Sequence, residues 1–146
     1  MEFNRIKLDN ADYPLRIPTY ENSEQATHPD IIEFLNPLFN NYRYMLAFTP
    51  YSYSNDKYEN PSIVFSNNGI KWYEDYIKNP IVDNQYPDKY WFCDPDLVYA
   101  NNKFYLYFLT GERGGKLFRK TRALYKQYSK TYSMKLCLVI SKDGVK

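Results

Sequence analysis

The sequence predicts an all-β fold assembled from a repeated antiparallel sheet, and three observations carry that expectation. Aromatic residues make up 19% of the chain, with 17 Tyr and 9 Phe, and these side chains favour the pleated, half-buried surface of a strand. From Pro29 onward, short apolar runs alternate with turn residues. A motif also recurs. His28-Pro29-Asp30-Ile31-Ile32 aligns with Asp94-Pro95-Asp96-Leu97-Val98 at an offset of 66 residues (28 to 94). Ser66-Asn67-Asn68-Gly69-Ile70-Lys71 aligns with Ser141-Lys142-Asp143-Gly144-Val145-Lys146 at an offset of 75 (66 to 141). A polar X-Pro-Asp start, an apolar hairpin and four strands per unit is how one blade of a propeller reads.

Each element follows in order. Residues 1–26 are polar and turn-rich, with Pro14 and Pro18 breaking any helix, and form an N-terminal extension. Asp30 to Leu35 and Tyr42 to Thr49 read as strands joined by a loop over 36–41. Ser62 to Ser66 is a third strand, and Asn67-Asn68-Gly69 turns the chain into a short fourth, Ile70 to Tyr73. A connector with Pro80 and Pro87 spans 74–93. The second cycle has strands from Asp94 to Tyr99, Phe104 to Leu109 and Lys135 to Ser141. The unequal offsets place an insertion around Gly111–Tyr132. The first blade is thus about 27–75 and the second about 94–146, within one incomplete propeller over 27–146.

Composition excludes several classes. A net charge of +2 supplies no global field toward nucleic acid or membrane. The two cysteines, Cys93 and Cys137, form neither a metal knuckle nor a disulfide framework and are expected to stay reduced. His28, the only histidine, has no Cys or His companions at zinc-ligand spacing, so no metal is expected. No cofactor motif stands out: Gly111-Glu112-Arg113-Gly114-Gly115 lacks the Gly-Lys-Ser/Thr that ends a phosphate-binding loop. The basic run from Lys116 to Arg122, continued by Lys126 and Lys130, has no accompanying RNA-binding signature and reads as a solvated face. No leader or membrane-spanning run can be read, so the default expectation is the cytoplasm.

Thr27-His28-Pro29-Asp30, Tyr44 to Tyr51, Asn55 to Ile63, the Ser-x-x-Gly-x-x-Trp turn ending at Trp72, and Asp94 to Tyr99 resemble bacterial and prophage proteins related to glycoside hydrolase family 43. The resemblance spans about residues 19–146. It implies a five-bladed β-propeller of four-stranded antiparallel sheets, of which about two blades are present. It also implies a carbohydrate ligand bound where the inner strands begin. Such a site would have a base Asp before the proline of the first inner strand, with a modulating Asp and an acid Glu on later blades. Here the first position is His28, with Asp30 two residues on.

Glycoside hydrolysis needs two carboxyl groups flanking the scissile bond, so Asp94, Asp30 and Glu59 are the catalytic candidates. His28, Tyr90, Trp91 and Asp96 are candidates for substrate binding, the aromatics as flat platforms for a sugar face. An Asp beside Pro can equally shape a strand entry, alternation should turn one of Asp94 and Asp96 away, and Glu59 can equally be an exposed loop carboxylate. Trp72 reads as packing at the outer strand. The expectation is a glycosidase-like fragment not catalytic by itself; the alternative is a non-catalytic carbohydrate-binding or phage or surface-recognition module. Open sheet edges would invite self-association.

Overall fold

The computed structural model describes residues 15–37, 41–113 and 134–144. The all-β reading holds. Strands β1 (Ala26–Glu33), β2 (Tyr44–Pro50) and β3 (Ser62–Ser66) form one antiparallel sheet in that order. Strands β4 (Tyr90–Ala100), β5 (Lys103–Glu112) and β6 (Lys135–Ser141) form a second. Two 3-10 turns, Ser52–Ser54 and Asp56–Tyr58, lie between β2 and β3. The two sheets share the repeat, as in a partial β-propeller.

The first sheet has three laddered strands where the sequence suggests a fourth over Ile70 to Tyr73, and the second has the three strands read for it. The outer edge of β3 is instead closed by one backbone pair, Phe65 with Tyr73, and by the Asn79 amide, which accepts from the Ile63 N–H at 2.9 Å and donates to its C=O at 2.8 Å. The turn explains why residues 70–72 do not ladder. Asn68 Oδ1 accepts from the N–H groups of Ile70 and Lys71, and Ser66 Oγ from those of Asn68 and Gly69. These donors are spent inside the turn, as Asn and Ser turns commonly do. Gly69 and Gly144, the matched turn glycines, both sit at φ +73, where a side chain would be strained.

Two boundaries differ from expectation. β1 starts earlier and stops at Glu33. β4 starts at Tyr90, four residues inside the expected connector, because β5 runs on to Glu112 and offers Thr110, Gly111 and Glu112 as partners for Phe92, Trp91 and Tyr90. The basic run at 116–122, with Lys126 and Lys130, lies outside the described residues.

The core lies between the sheets. Alternation turns Met45 and Ala47 of β2, with Ile63 and Phe65 of β3, toward Leu97, Phe104 and Leu106 of the second sheet. Tyr42 stacks on Phe65 at 5.5 Å between ring centroids. On the other face of the first sheet, Leu46, Phe48 and Val64 are covered by Ile17 and Trp72. Ile17, from the described end of the N-terminal segment, therefore packs on the sheet, and Trp72 is a packing residue. Large buried side chains such as Phe48, Phe65 and Met45 each contribute about 1.5–3 kcal/mol relative to exposure.

Candidate functional site

The X-Pro-Asp motif is a β-bulge, and it occurs twice. In β1, His28 and Pro29 fall where the register slips between Thr27 and Asp30; in β4, Asp94 and Pro95 fall between Cys93 and Asp96. Two residues there oppose one on the partner strand, and a bulge of this kind leaves an extra residue unpaired. Proline suits the place because it has no N–H to leave unpaired. The residue before it takes the left-handed conformation, His28 at φ +51 and Asp94 at φ +50. An L-residue held there costs about 1–2 kcal/mol, and such strain concentrates at functional sites.

The bulges aim the two side chains at each other. His28 Nδ1 lies 2.9 Å from Asp94 Oδ1, with both side chains about half exposed. The Cys93 thiol also hydrogen-bonds the Asp94 carboxylate; burial first, and then that bond, push the thiol well above its usual range, so it stays protonated. Both cysteines are free thiols.

Glu59 stands close enough to feel the charges of His28, Asp94, Asp56 and Arg113. Burial is the largest influence on it and, with the carboxylates of Asp56 and Asp94, raises its pKa; His28 and Arg113 pull the other way. Glu59 lies ahead of β3, which begins at Ser62, and ends the 3-10 turn, its N–H donating to the Asp56 C=O. Tyr20 and Arg113 hold this loop from two sides. The Tyr20 hydroxyl donates to the Tyr58 C=O and accepts from the Asn60 amide. The Arg113 guanidinium, with its side chain 7% exposed, donates to the Asp56 carboxylate and C=O and to the C=O groups of Pro87 and Tyr90. A second ion pair joins Lys57 to Asp88.

The other candidates separate. The Asp30 carboxylate accepts from the Leu97 N–H at 2.6 Å and so ties the inner strands of the two sheets together. Asp96 is exposed on β4. The Trp91 indole lies across Gly111, where an added Cβ would come within 2.4 Å of the ring. The Tyr90 ring carries the Lys89 ammonium 4.9 Å from its centroid. His28, Asp94 and Glu59 thus come together, and Asp30 is committed to the backbone. Among the described residues, no three His, Cys, Asp or Glu side chains gather as a metal site. Sequence reasoning missed Arg113, Tyr20 and Cys93; only the repeat, which marks Asp94 as His28's counterpart, hinted that its neighbours matter.

No protein-family profile matches the chain. It is 42% identical over 77 residues to an A type blood N-acetyl-alpha-D-galactosamine deacetylase of Flavonifractor plautii, a match covering 52% of this chain and 10% of that protein. Its fold superposes, at a TM-score of 0.69 and 31% identity, on the crystal structure of an N-acetylgalactosamine deacetylase from F. plautii in complex with blood group B trisaccharide. That match covers 90% of this chain and 32% of the other. The chain is related to carbohydrate-active enzymes. It spans about a third of the solved relative and a tenth of the curated one. Neither match is described as a glycoside hydrolase, so the relation stands at this broader level rather than at family 43.

Proposed function

We propose that the chain carries part of a glycan-modifying site that acts on the acetamido group of an N-acetylated hexosamine, N-acetylgalactosamine being the first candidate. The observation that carries this reading is the His28–Asp94 pair on matched, strained bulges, in a chain whose relatives are N-acetylgalactosamine deacetylases. Asp94, accepting from Nδ1–H, fixes the imidazole tautomer and leaves Nε2 free to accept a proton. A water that gives its proton to Nε2 adds through oxygen to the acetamide carbonyl carbon. The C–N bond then breaks, the imidazolium returns the proton to the departing amine, and acetate is left. Glu59, keeping its proton to higher pH than an ordinary glutamate, can donate to the carbonyl oxygen as negative charge develops there. A buried, protonated Cys93 under Asp94 keeps that carboxylate oriented.

This reading favours amide over glycosidic hydrolysis. Asp30, one of the carboxylates a glycosidase would need, is held by the Leu97 N–H. The test is acetate release from methyl α-N-acetylgalactosaminide by the 146-residue chain, with binding of the same sugar and of methyl α-galactoside followed by NMR. Positioned acid–base groups contribute about 10²–10⁴-fold, so His28→Ala and Asp94→Asn should lower release by that order. Release unchanged in both variants would overturn the proposal. Binding that prefers the acetamido sugar, with no release, would favour the carbohydrate-recognition reading.

A further inference from the structure

Glu59 is the central residue of an inverse γ-turn. Its φ of −70 and ψ of 75 are those of that turn, and the Asn60 N–H closes it on the Tyr58 C=O at 2.7 Å. A γ-turn has one backbone hydrogen bond to hold it, and here a side chain from outside the loop reinforces it. The Tyr20 hydroxyl donates to the same Tyr58 C=O at 3.1 Å and accepts from the Asn60 side-chain amide at 2.8 Å. The bonds close into a ring that runs from Asn60 to Tyr58 to Tyr20 and back to Asn60, spanning the Glu59 backbone. Asn60 is buried, and its C=O accepts from the buried Ser62 hydroxyl at the start of β3, so the ring is anchored to the sheet as well.

Tyr20 stands on a fixed support. Ile17 is buried against the first sheet. Thr19, also buried, accepts through Oγ1 from the Ser23 and Glu24 N–H groups at 3.0 and 3.1 Å, and through its C=O from the Asn22 N–H at 2.8 Å. These bonds wind the chain tightly on either side of Tyr20. The segment then meets the beginning of the same loop. Gln25 accepts from the Tyr51 N–H through its C=O at 2.7 Å and from the Tyr53 N–H through Oε1 at 2.8 Å. Residues 19–25 thus hold the loop over 51–60 at both ends, while Arg113 and Asp88 hold its middle through Asp56 and Lys57. Burial lifts the Tyr20 pKa above its ordinary 10.0, so the phenol keeps its proton and remains a donor at neutral pH.

We infer that Tyr20 is the positioning residue of Glu59: its hydroxyl locks the γ-turn that presents the Glu59 carboxyl to His28 and Asp94, and the segment before β1 is therefore part of the site. The inference rests on the proposed function for the proton that Glu59 donates, and on geometry alone for where Glu59 is held. Tyr20 touches no reacting atom; it acts through the backbone on either side of Glu59. The charged groups that face Glu59 are His28 of β1, Asp94 of β4, Asp56 of its own turn and Arg113 just beyond β5. Removing the Tyr20 hydroxyl changes none of these charges. What changes is how firmly the turn keeps Glu59 half-buried, and burial is the largest reason that its carboxyl holds a proton to higher pH than usual.

The test is the carboxyl titration of Glu59 by carbon-13 NMR in wild type, Tyr20→Phe and Tyr42→Phe, with Glu59→Gln identifying the signal, followed by the pH profile of acetate release. Tyr20→Phe keeps the ring and removes the lock. Tyr42→Phe is the control: it also deletes a hydroxyl hydrogen bond, to Asp75, but it precedes β2 at the end of the strand opposite the loop. In Tyr20→Phe the Glu59 midpoint should fall toward its ordinary 4.5, and in Tyr42→Phe it should stay where it is. Acetate release by Tyr20→Phe should lose about tenfold in kcat with KM unchanged, short of the loss of about 10²–10⁴-fold expected when a positioned acid is removed. Its decline at higher pH should begin earlier. In a Glu59→Ala background, Tyr20→Phe should cost nothing further. The titration needs no substrate, so it judges the lock by itself; a chain that releases no acetate would count against the proposed function alone. A Glu59 midpoint that is unchanged or higher in Tyr20→Phe, or that moves equally in Tyr42→Phe, would overturn the inference.

Discussion

His28 and Asp94, equivalent positions 66 residues apart in the repeat, meet across the two sheets with Nδ1 2.9 Å from Oδ1, each held in the left-handed region at the first position of a bulge. The repeat thus places one copy of its own motif against the other. The same bulge that strains the backbone turns each side chain out of the pleat, where an ordinary strand would have sent it to one face.

That strain is testable by glycine. At φ +51 only glycine is unstrained, so His28→Gly should be more stable than His28→Ala by about 1 kcal/mol, although both lose the Asp94 contact. Urea denaturation of the pair measures the difference. Equal midpoints would show that the bulge relaxes when the imidazole is gone.

Asp30 should prove a structural carboxylate. Truncation leaves the buried Leu97 N–H without a partner, and the loss of a hydrogen bond to a charged group costs about 1.5–3 kcal/mol. Asp30→Ala should therefore destabilise by that amount and Asp30→Asn by less, since the amide oxygen can still accept. Denaturation midpoints decide, and an Asp30→Ala chain as stable as wild type would break the account of how the sheets are tied.

The fold was legible because its signals are local. Alternation and turn residues fix β2, β3, β5 and β6 within a few residues, and the Pro-Asp repeat marks both inner strands. The fourth strand misled because Ile70 and Lys71 have strand-like side chains, while the competition for their N–H groups comes from Asn68, a turn residue that acts on its neighbours' backbone. Of the candidate site, Asp94, His28 and Glu59, the candidates the structure brings together, were named from motif and position. Arg113 was not: its partner Asp56 is far away in sequence, and no local pattern announces a long-range clamp.

Arg113 is expected to govern the loop that carries Glu59. Arg113→Ala leaves the Pro87 and Tyr90 carbonyls and the Asp56 carboxylate to find water. The loss should fall on the loop more than on the sheets, with amide exchange rising in residues 52–60 and little changed in β2 and β5. Uniform loss of protection across both sheets would instead make Arg113 a global fold residue.

Gly111 should not tolerate a side chain. A Cβ there would meet the Trp91 indole at 2.4 Å, closer than side-chain carbons approach a ring, so Gly111→Ala must lift the indole away, and overpacking of this sort costs about 1–3 kcal/mol. Trp91 fluorescence, read in a Trp72→Phe background to isolate it, should shift to the red as the ring loses its glycine bed. An unshifted spectrum would mean that the indole does not rest on Gly111.

Glu59 sets the pH dependence. Its pKa lies above the ordinary 4.5 chiefly because burial penalises the charged form. A carboxyl raised on folding binds its proton more tightly in the folded chain, so between the ordinary value and the raised one the folded state holds more proton than the unfolded state. Stability then falls as pH rises through that window: the contribution is fully present below about 4.5 and lost once the folded carboxyl has ionised. Glu59→Gln removes the ionisation, so the variant should be more stable than wild type at neutral pH, and the advantage should shrink to nothing as the pH is lowered through the window. The same substitution keeps a hydrogen-bond donor beside His28 and Asp94 but cannot give up a proton. If Glu59 acts as a donor to a developing oxyanion, sugar binding should survive and acetate release should lose its decline at higher pH. Paired urea titrations of wild type and Glu59→Gln across this range give the sign directly; a wild-type chain that gains stability with rising pH relative to the variant would mean that the carboxylate is stabilised by His28 and Arg113 more than burial opposes it.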